Sequence, residues 1–185
     1  SAHFEPDRCV VNLTKKNGPG SLAHEWFHAL DNLLFKESGG NPSEASPYMS
    51  RAWKAFEGKG EAAGAAKNFS DAIRKTGVIE RARECDRRRG RLYYSTACET
   101  AARCFERFVA DELASKGMTN DWLVNIAPEE SFEVFMPLGG GGEAYPYPKA
   151  AEMETVGPAV AGFVGAYMSE ISRVSPEEVG LRDIR

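Results

Sequence analysis

The feature that most constrains the fold is the sequence HEWFH at residues 24–28. Histidines four residues apart lie on the same face of an α-helix, so His24 and His28 can bind one metal ion only if this segment is helical. Glu25, next to the first histidine, can then reach a water molecule at the metal. The motif predicts a zinc site, with Glu25 as the general base that takes a proton from that water.

The surroundings of the motif favour a metal site over two histidines exposed on an amphipathic helix, which is the alternative interpretation. A turn, NGPG at 17–20, precedes it, and Ser21 can cap a helix N-terminus. The apolar residues recur at helical spacing: Leu22, Trp26, Leu30, Leu33 and Leu34. The motif also uses two of the three histidines in the chain. We therefore expect a helix from residue 22 that ends at Gly39-Gly40.

A third ligand is needed, because catalytic zinc sites usually have three protein ligands and one water molecule. Asp31 follows His28 by three residues on the same helix, which is too close for easy coordination of the same ion. It is better suited to orient His28 through a hydrogen bond, and the alternative is a solvated aspartate. The third ligand must therefore come from another element.

A helix predicted at 97–115 offers two carboxylates for this purpose. Glu99, Arg103 and Glu106 are spaced by four and three residues, so they share one face of that helix. The same spacing also fits an exposed pair of glutamate and arginine on a solvated face. Spacing alone therefore leaves the identity of the third ligand open.

Two stretches of the chain resemble the large polyvalent protein-associated domain, which occurs in giant multi-domain proteins of phages and conjugative elements. The resemblance lies in residues 2–36, through AHFE, NLT, GSLAHEW and HALD, and in residues 93–110, through YYSTACE, AR and FE. The sequence YPYP at 145–148 is similar to the closing segment of the family. The departures from the family are Phe27 in place of Gly, Ala97 in place of Pro, and Thr100-Ala101 in place of an apolar pair. They bear on the shape of a pocket rather than on the ligands.

The resemblance implies a gluzincin-like metallopeptidase. In gluzincins the third metal ligand is a glutamate on a second helix, which corresponds to Glu99 here, and Arg103 and Glu106 would then support the site. Tyr93 and Tyr94 directly precede this helix. Either hydroxyl is a candidate donor to the oxyanion of a tetrahedral intermediate, and packing in the core is the alternative for both.

Periodicity predicts a mainly α, zincin-like domain with one or a few short strands. A length of 185 residues favours a single domain over 1–185, and an apolar fraction of 42% is enough for a core. A strand is predicted at 8–14, and a short helical turn at 121–126. Further helices are predicted at 43–57, 61–75, 78–89, 97–115 and 149–172, with an irregular loop at 131–148.

Charge and hydropathy say less about partners than the motif does. The net charge of -4 gives no general attraction to nucleic acid or to anionic membranes, and no apolar run is long enough to span a membrane. A basic patch could contact nucleic acid: Arg81, Arg83, Arg87, Arg88, Arg89 and Arg91. We interpret it instead as a solvated face, since Glu80, Glu84 and Asp86 are interspersed.

The ends of the chain and its cysteines constrain the context weakly. The chain begins with Ser1 and shows no signal peptide, so we expect a domain cut from a longer protein. Its location is left open, either cytoplasmic or delivered as part of a larger protein. The four cysteines have no CxxC spacing and are expected to be reduced thiols: Cys9, Cys85, Cys98 and Cys104.

Together the residues predict a zinc-dependent metallopeptidase that acts on a peptide or protein substrate. One alternative is a binding module of a phage, mobile-element or effector protein, which keeps zinc for folding. Another is a toxin domain at the end of a delivery protein. An open coordination position at the metal favours an enzyme, whereas a fourth protein ligand favours a structural module.

Overall fold

The computed structural model describes residues 2–13, 20–58, 60–135 and 143–171. Over these residues the chain is mainly helical with one small antiparallel sheet, which confirms the predicted fold class. The strands are β1 (His3–Glu5) and β2 (Val10–Asn12). The helices are α1 (Leu22–Glu37), α2 (Met49–Ala52), α3 (Glu61–Arg74), α4 (Val78–Arg89), α5 (Ala97–Ser115), α6 (Glu129–Phe135) and α7 (Ala150–Ile171), and a 3-10 turn, Trp53–Phe56, follows α2.

The two strands agree with the predicted one or a few short strands, but β1 was not located from the sequence and β2 is shorter than the predicted strand. β1 pairs with β2 so that Phe4 lies opposite Val11. The strand predicted at 8–14 is reduced to β2, because the chain turns just before it, with Cys9 in the left-handed region at a φ of 53°. The strand β1 was missed because three residues are too few to show an alternating pattern.

The helix predicted at 43–57 is wrong in its first half. Regular structure begins at Met49, after Pro47, which disfavours a helical conformation at the residue before it. The carbonyl oxygen of Pro47 instead accepts a hydrogen bond of 2.7 Å from the buried side chain of Asn32 in α1. That bond holds the segment extended against α1 and directs α2 toward the same helix.

The loop predicted at 131–148 is also partly wrong, because α6 occupies 129–135. This helix begins directly after Pro128, whose carbonyl oxygen accepts the N–H of Phe132 at 2.9 Å. A proline just before a helix is compatible with it, since no N–H is needed there. The four glycines at 139–142 lie outside the described residues, as do residues 17–19 of the predicted turn.

The N-terminus of α1 is fixed by a close contact with the segment after α5. Gly20 has a φ of 84° and donates its N–H to the carbonyl oxygen of Trp122 at 3.1 Å. The N–H of Ala23 donates to Leu123 at 3.0 Å. A Cβ atom at position 20 would lie 2.4 Å from the Cβ atom of Asn125, so only glycine fits. This contact sets where the histidine motif starts.

The core lies between α1, α3, α5 and α7, with Phe27 at its centre. The ring of Phe27 is fully buried, and its centroid lies 5.3 Å from that of Phe105, 5.6 Å from Phe163 and 6.1 Å from Phe69. Phe27, one of the positions at which the chain departs from the resembling family, is thus a core position. Aromatic packing on this side of α1 leaves the adjacent side for the histidines.

Two further predictions concern membrane spans and cysteines. Among the described residues, no helix combines the length and apolar content that a bilayer span requires. The four cysteines are free thiols, as expected, with Cys85 and Cys104 buried and Cys9 exposed.

Candidate metal centre

The Nε2 atoms of the two histidines in α1, His24 and His28, lie next to each other. These atoms are 3.2 Å apart, and both side chains are buried. The helix produces this convergence because residues 24 and 28 are one turn apart on the same face. Their rings meet edge to face, with centroids 4.8 Å apart.

Glu99 in the first turn of α5 reaches both histidines. Its Oε2 lies 3.4 Å from Nε2 of His24, and its Oε1 lies 3.2 Å from Nε2 of His28. One ligand atom from each residue can be chosen so that all three lie within 4.8 Å of one another. Ligand atoms of a tetrahedral zinc ion, bound at about 2.0–2.1 Å, are themselves roughly 3.3–3.4 Å apart. The residues present therefore fit one zinc ion.

Glu106, two turns further along α5, faces the other nitrogen of His24. Its Oε2 lies 3.4 Å from Nδ1, and its side chain is buried. Because a carboxylate only accepts, this contact requires a proton on Nδ1, so Nε2 is the nitrogen that is available to a metal. Burial lowers the pKa of His24, but hydrogen bonds with Glu106 and Glu99 outweigh it and raise the pKa to about 9.

Arg103 holds Glu99 from within the same helix. Its Nη2 donates to Oε2 of Glu99 at 3.0 Å, and its Nη1 donates to the carbonyl oxygen of Glu99 at 3.0 Å. The guanidinium lies 5.1 Å from the ring centroid of Tyr93 and 4.6 Å from that of Tyr94. Burial opposes ionisation of Glu99, but hydrogen bonds with the two histidines and the charge of Arg103 hold its pKa far below the usual range.

Asp31 makes its contacts with α2 rather than with His28. It accepts the N–H of Ser50 at 2.7 Å and the Ser50 hydroxyl at 2.5 Å. Burial raises the pKa of Asp31 to about 6. Nδ1 of His28 is buried without a hydrogen-bond partner among the described residues. The expected orienting bond from Asp31 to His28 is therefore absent there, and the carboxylate instead accepts hydrogen bonds from Ser50 in α2.

A polar cleft of about 270 Å³ opens beside His24 and contains Glu25. Tyr93 and Tyr147 are among the other residues that line it. Burial and the charge of Glu99 raise the pKa of Tyr93, so its hydroxyl remains protonated at neutral pH. Tyr94 does not line the cleft, and its hydroxyl accepts a hydrogen bond of 2.8 Å from Arg89. The structure thus places Tyr93, but not Tyr94, beside Glu25.

Sequence reasoning assigned no role to two other aromatic residues near the site. Tyr147 lies in the YPYP segment, and the similarity of that segment to the family is the sequence feature that could have marked Tyr147 as a site residue. The ring centroid of Tyr48 lies 5.6 Å from that of His28, just before α2. No motif marked Tyr48, because its approach depends on how the chain passes Pro47.

The arginine-rich helix α4 does not form a continuous basic patch. Arg81 is buried and donates to Glu152 at 2.6 Å, and Arg87 and Arg88 both contact Glu84. These pairs fit the interpretation of α4 as a charge-balanced face. These contacts do not test the alternative interpretation, which is contact with nucleic acid.

Comparison with known families supplies the context of the second half of the chain. Residues 85–171 match the family model of large polyvalent protein-associated domain 1, which is slightly less than half of the chain. Over that segment, the chain is similar to this family. The resemblance to the family that was recognised from the sequence is thus confirmed for residues 85–171. The match also supports a phage or mobile-element context.

The large polyvalent protein-associated domain 1 segment contains only one part of the candidate site. It includes Glu99, Arg103 and Glu106, whereas the histidine motif at 24–28 precedes it. None of the curated proteins and none of the solved structures compared matches the chain.

Proposed function

We propose that this chain is a zinc-dependent metallopeptidase domain that hydrolyses peptide bonds. One observation carries the proposal: the ligand atoms of His24, His28 and Glu99 converge next to a polar cleft that contains Glu25. Two imidazoles and one carboxylate are a ligand set of catalytic zinc sites. Within the described residues this is a group of three, which suits a catalytic centre with an open position better than a closed structural site.

The residues of the chain divide the chemistry among them. A zinc ion, when bound, supplies Lewis acidity that polarises the scissile carbonyl and makes a water molecule more acidic. Glu25 lies on the wall of the cleft beside His24, so its carboxylate can accept the proton of the attacking water and pass it to the leaving amine. Arg103 keeps Glu99 ionised and oriented toward the histidines.

Tyr93 is the better of the two tyrosine candidates for stabilising the oxyanion. It lines the cleft, and its hydroxyl is kept protonated by the burial and the nearby Glu99 carboxylate that raise its pKa. A protonated phenol can donate a hydrogen bond to negative charge that develops on the substrate carbonyl. Tyr94 packs on Arg103 instead and supports the centre through that contact.

The test replaces the general base without touching the metal ligands. Glu25→Gln should retain about one zinc per chain but lose turnover by roughly 10²–10⁴-fold, because an amide cannot accept the proton of the attacking water. Metal analysis of both proteins, combined with a broad peptide-library cleavage assay, measures the two quantities separately.

Glu37→Gln is the matched control, since Glu37 is an exposed carboxylate at the end of the same helix. It should leave both zinc content and cleavage unchanged. Equal turnover in wild type and Glu25→Gln would remove Glu25 as the base. A wild-type protein that binds zinc and cleaves no peptide in the library would instead point to the zinc-stabilised binding module.

A further inference from the structure

A second cavity lies between α3, α4, α5 and α7, apart from the polar cleft. Its volume is about 220 Å³, and among the described residues it shares no lining residue with the cleft beside His24. Neither the candidate metal centre nor the proposed hydrolysis uses it. An apolar cavity of about 150 Å³ is enough to hold a benzene molecule. This cavity therefore has room for a benzene-sized group and a few further atoms.

The inner wall of the cavity is apolar and aromatic. Phe69 of α3 and Phe163 of α7 are buried, and their ring centroids lie 5.7 Å apart. The buried side chains of Ala66 and Ala101 complete this wall. These small side chains leave space between the helices, and the two rings offer surfaces against which a further aromatic group can pack. The inner end of the cavity therefore suits the apolar body of a ligand.

The mouth of the cavity is positively charged. Arg74 at the end of α3 and Arg83 in α4 line it with side chains that are more than half exposed, and none of the described lining residues is acidic. Arg74 pairs with Asp71 at 3.6 Å. Arg83 pairs with Glu80 at 3.9 Å. Both distances exceed ordinary hydrogen-bond length, and such exposed ion pairs contribute little, so a competing anion can bind both guanidinium groups.

The hydroxyl groups in the wall determine which end of a ligand is charged. Ser50 donates its proton to Asp31 at 2.5 Å, and Ser95 donates to Asp86 at 2.6 Å. The Thr100 hydroxyl donates to backbone carbonyl oxygens at 2.9–3.1 Å. Because their single protons are engaged, these three groups can accept a hydrogen bond but cannot donate one to an anion. A bound carboxylate would therefore lie at the mouth, where the arginines can donate to it in pairs.

We propose that this cavity binds a small aromatic monocarboxylate. The ring of the ligand packs on Phe69 and Phe163, and its carboxylate contacts Arg74 and Arg83. A volume of about 220 Å³ sets the size near that of phenylacetate, and the apolar wall disfavours a second charge. The proposal goes beyond the proposed function and uses neither zinc nor peptidase activity, so the two are tested separately.

The experiment uses phenylacetate and its neutral analogue phenylacetamide as probes. Amide chemical shifts in a ¹H–¹⁵N NMR titration of the chain report the affinity and the place of binding together. For phenylacetate we expect a dissociation constant of about 1 mM or lower, which is ordinary for a ligand of about ten non-hydrogen atoms. The shifts should lie at residues that line the cavity and not at the polar cleft. Phenylacetamide should bind about tenfold more weakly, because it lacks the charge that the arginines recognise.

Substitution of the two arginines tests the charged mouth. Arg74→Gln/Arg83→Gln should weaken phenylacetate binding about tenfold and remove the preference for phenylacetate over phenylacetamide. Arg8→Gln/Arg91→Gln is the matched control, since it removes the same two charges from exposed positions that do not line the cavity. The control should bind phenylacetate like wild type.

Absence of saturable shifts, shifts centred on the polar cleft, or equal affinities for the two probes would each overturn the proposal. An equal loss in the two double variants would also overturn it, because net charge alone would then explain the binding. Tighter binding of a short peptide that ends in phenylalanine would overturn the small-molecule assignment in favour of a protein C-terminus. Should Arg74→Gln/Arg83→Gln not fold, the comparison of the two probes on the wild type decides.

Discussion

At the scale of single residues, the tasks proposed for Glu99 and Glu106 differ because the two carboxylates face opposite nitrogens of His24. Glu99 lies 3.4 Å from Nε2 and Glu106 lies 3.4 Å from Nδ1. Seven residues separate the two carboxylates on α5, which is roughly 10 Å along a helix axis. The imidazole ring spans this gap, so one carboxylate can contact the metal while the other holds the ring.

We predict different losses of zinc affinity for the two glutamates. Glu99→Ala removes a proposed ligand and should abolish tight binding, whereas Glu106→Ala should cost about 10–100-fold, as expected for a residue that orients a ligand. Zinc titration of the two variants measures the difference. Glu112→Ala, an exposed residue of the same helix that pairs with Lys116, serves as the control and should bind like wild type. Retention of metal by Glu99→Ala together with its loss in Glu106→Ala would invert the assignment.

At the scale of elements, the connection between α4 and α5 decides where Glu99 and Tyr93 lie. Asp86 in the last turn of α4 accepts the N–H groups of Tyr93, Tyr94 and Ser95 at 2.7–2.9 Å, and the hydroxyl of Ser95 at 2.6 Å. One buried carboxylate thus folds the chain back on itself just before α5 begins. The four bonds orient Tyr93 toward the cleft and set the start of the helix that carries the third proposed ligand.

We predict that Asp86→Asn destabilises the fold by about 1–3 kcal/mol at neutral pH, since hydrogen bonds to a charged acceptor are lost. Asp111→Asn, which removes a half-exposed ion pair on α5, should change the free energy of unfolding by no more than about 0.5 kcal/mol. Urea unfolding of both variants measures these values. An equal effect of the two substitutions would contradict the role given to Asp86.

The effect of Asp86 should also depend on pH, in a direction that its pKa sets. Burial opposes its ionisation, but the hydrogen bonds from residues 93–95 hold the folded-state pKa below the ordinary value. Its stabilisation is therefore complete above about pH 4, the unfolded-state pKa, and is lost as the pH falls through the folded-state value. The difference between wild type and Asp86→Asn should shrink on acidification.

At the scale of the whole molecule, the candidate metal centre joins two helices that are far apart in sequence. α1 carries the histidines and α5 carries Glu99, and the two helices pack against each other along the core. A metal that binds only the folded state stabilises it by about 2.7 kcal/mol when its free concentration is one hundred times the dissociation constant. The centre would therefore strengthen the packing of α1 on α5.

We predict that removal of zinc by a chelator lowers the unfolding temperature by roughly 5–11 °C. This range follows from the stabilisation of about 2.7 kcal/mol and from the usual temperature shift per kcal/mol for a chain of this size. Calorimetric scans with excess zinc and with chelator measure the shift. Glu99→Ala should show no such difference, because it lacks a proposed ligand. Identical scans of the wild type under both conditions would exclude a metal that binds the folded state.

Local pattern was sufficient for the long helices of this chain. The bounds of α5 agree with the predicted 97–115, and those of α4 agree with 78–89, because apolar spacing and helix-ending glycines are properties of neighbouring residues. The pairing of His24 with His28 follows from the same local geometry. The segments at 43–57 and 131–148 were only partly right, because proline positions and contacts with distant residues decide where α2 and α6 begin.

The candidate site depends on contacts between residues that are distant in sequence, and the spacing of neighbouring residues cannot predict such contacts. Seventy-one residues separate Glu99 from His28 in sequence, so only the packing of α1 on α5 brings them to 3.2 Å. Asp31 contacts Ser50 rather than His28 because α2 folds back onto α1. The sequence by itself thus determined the helices and the candidate ligands, and the tertiary structure decided which of the neighbouring side chains contact them.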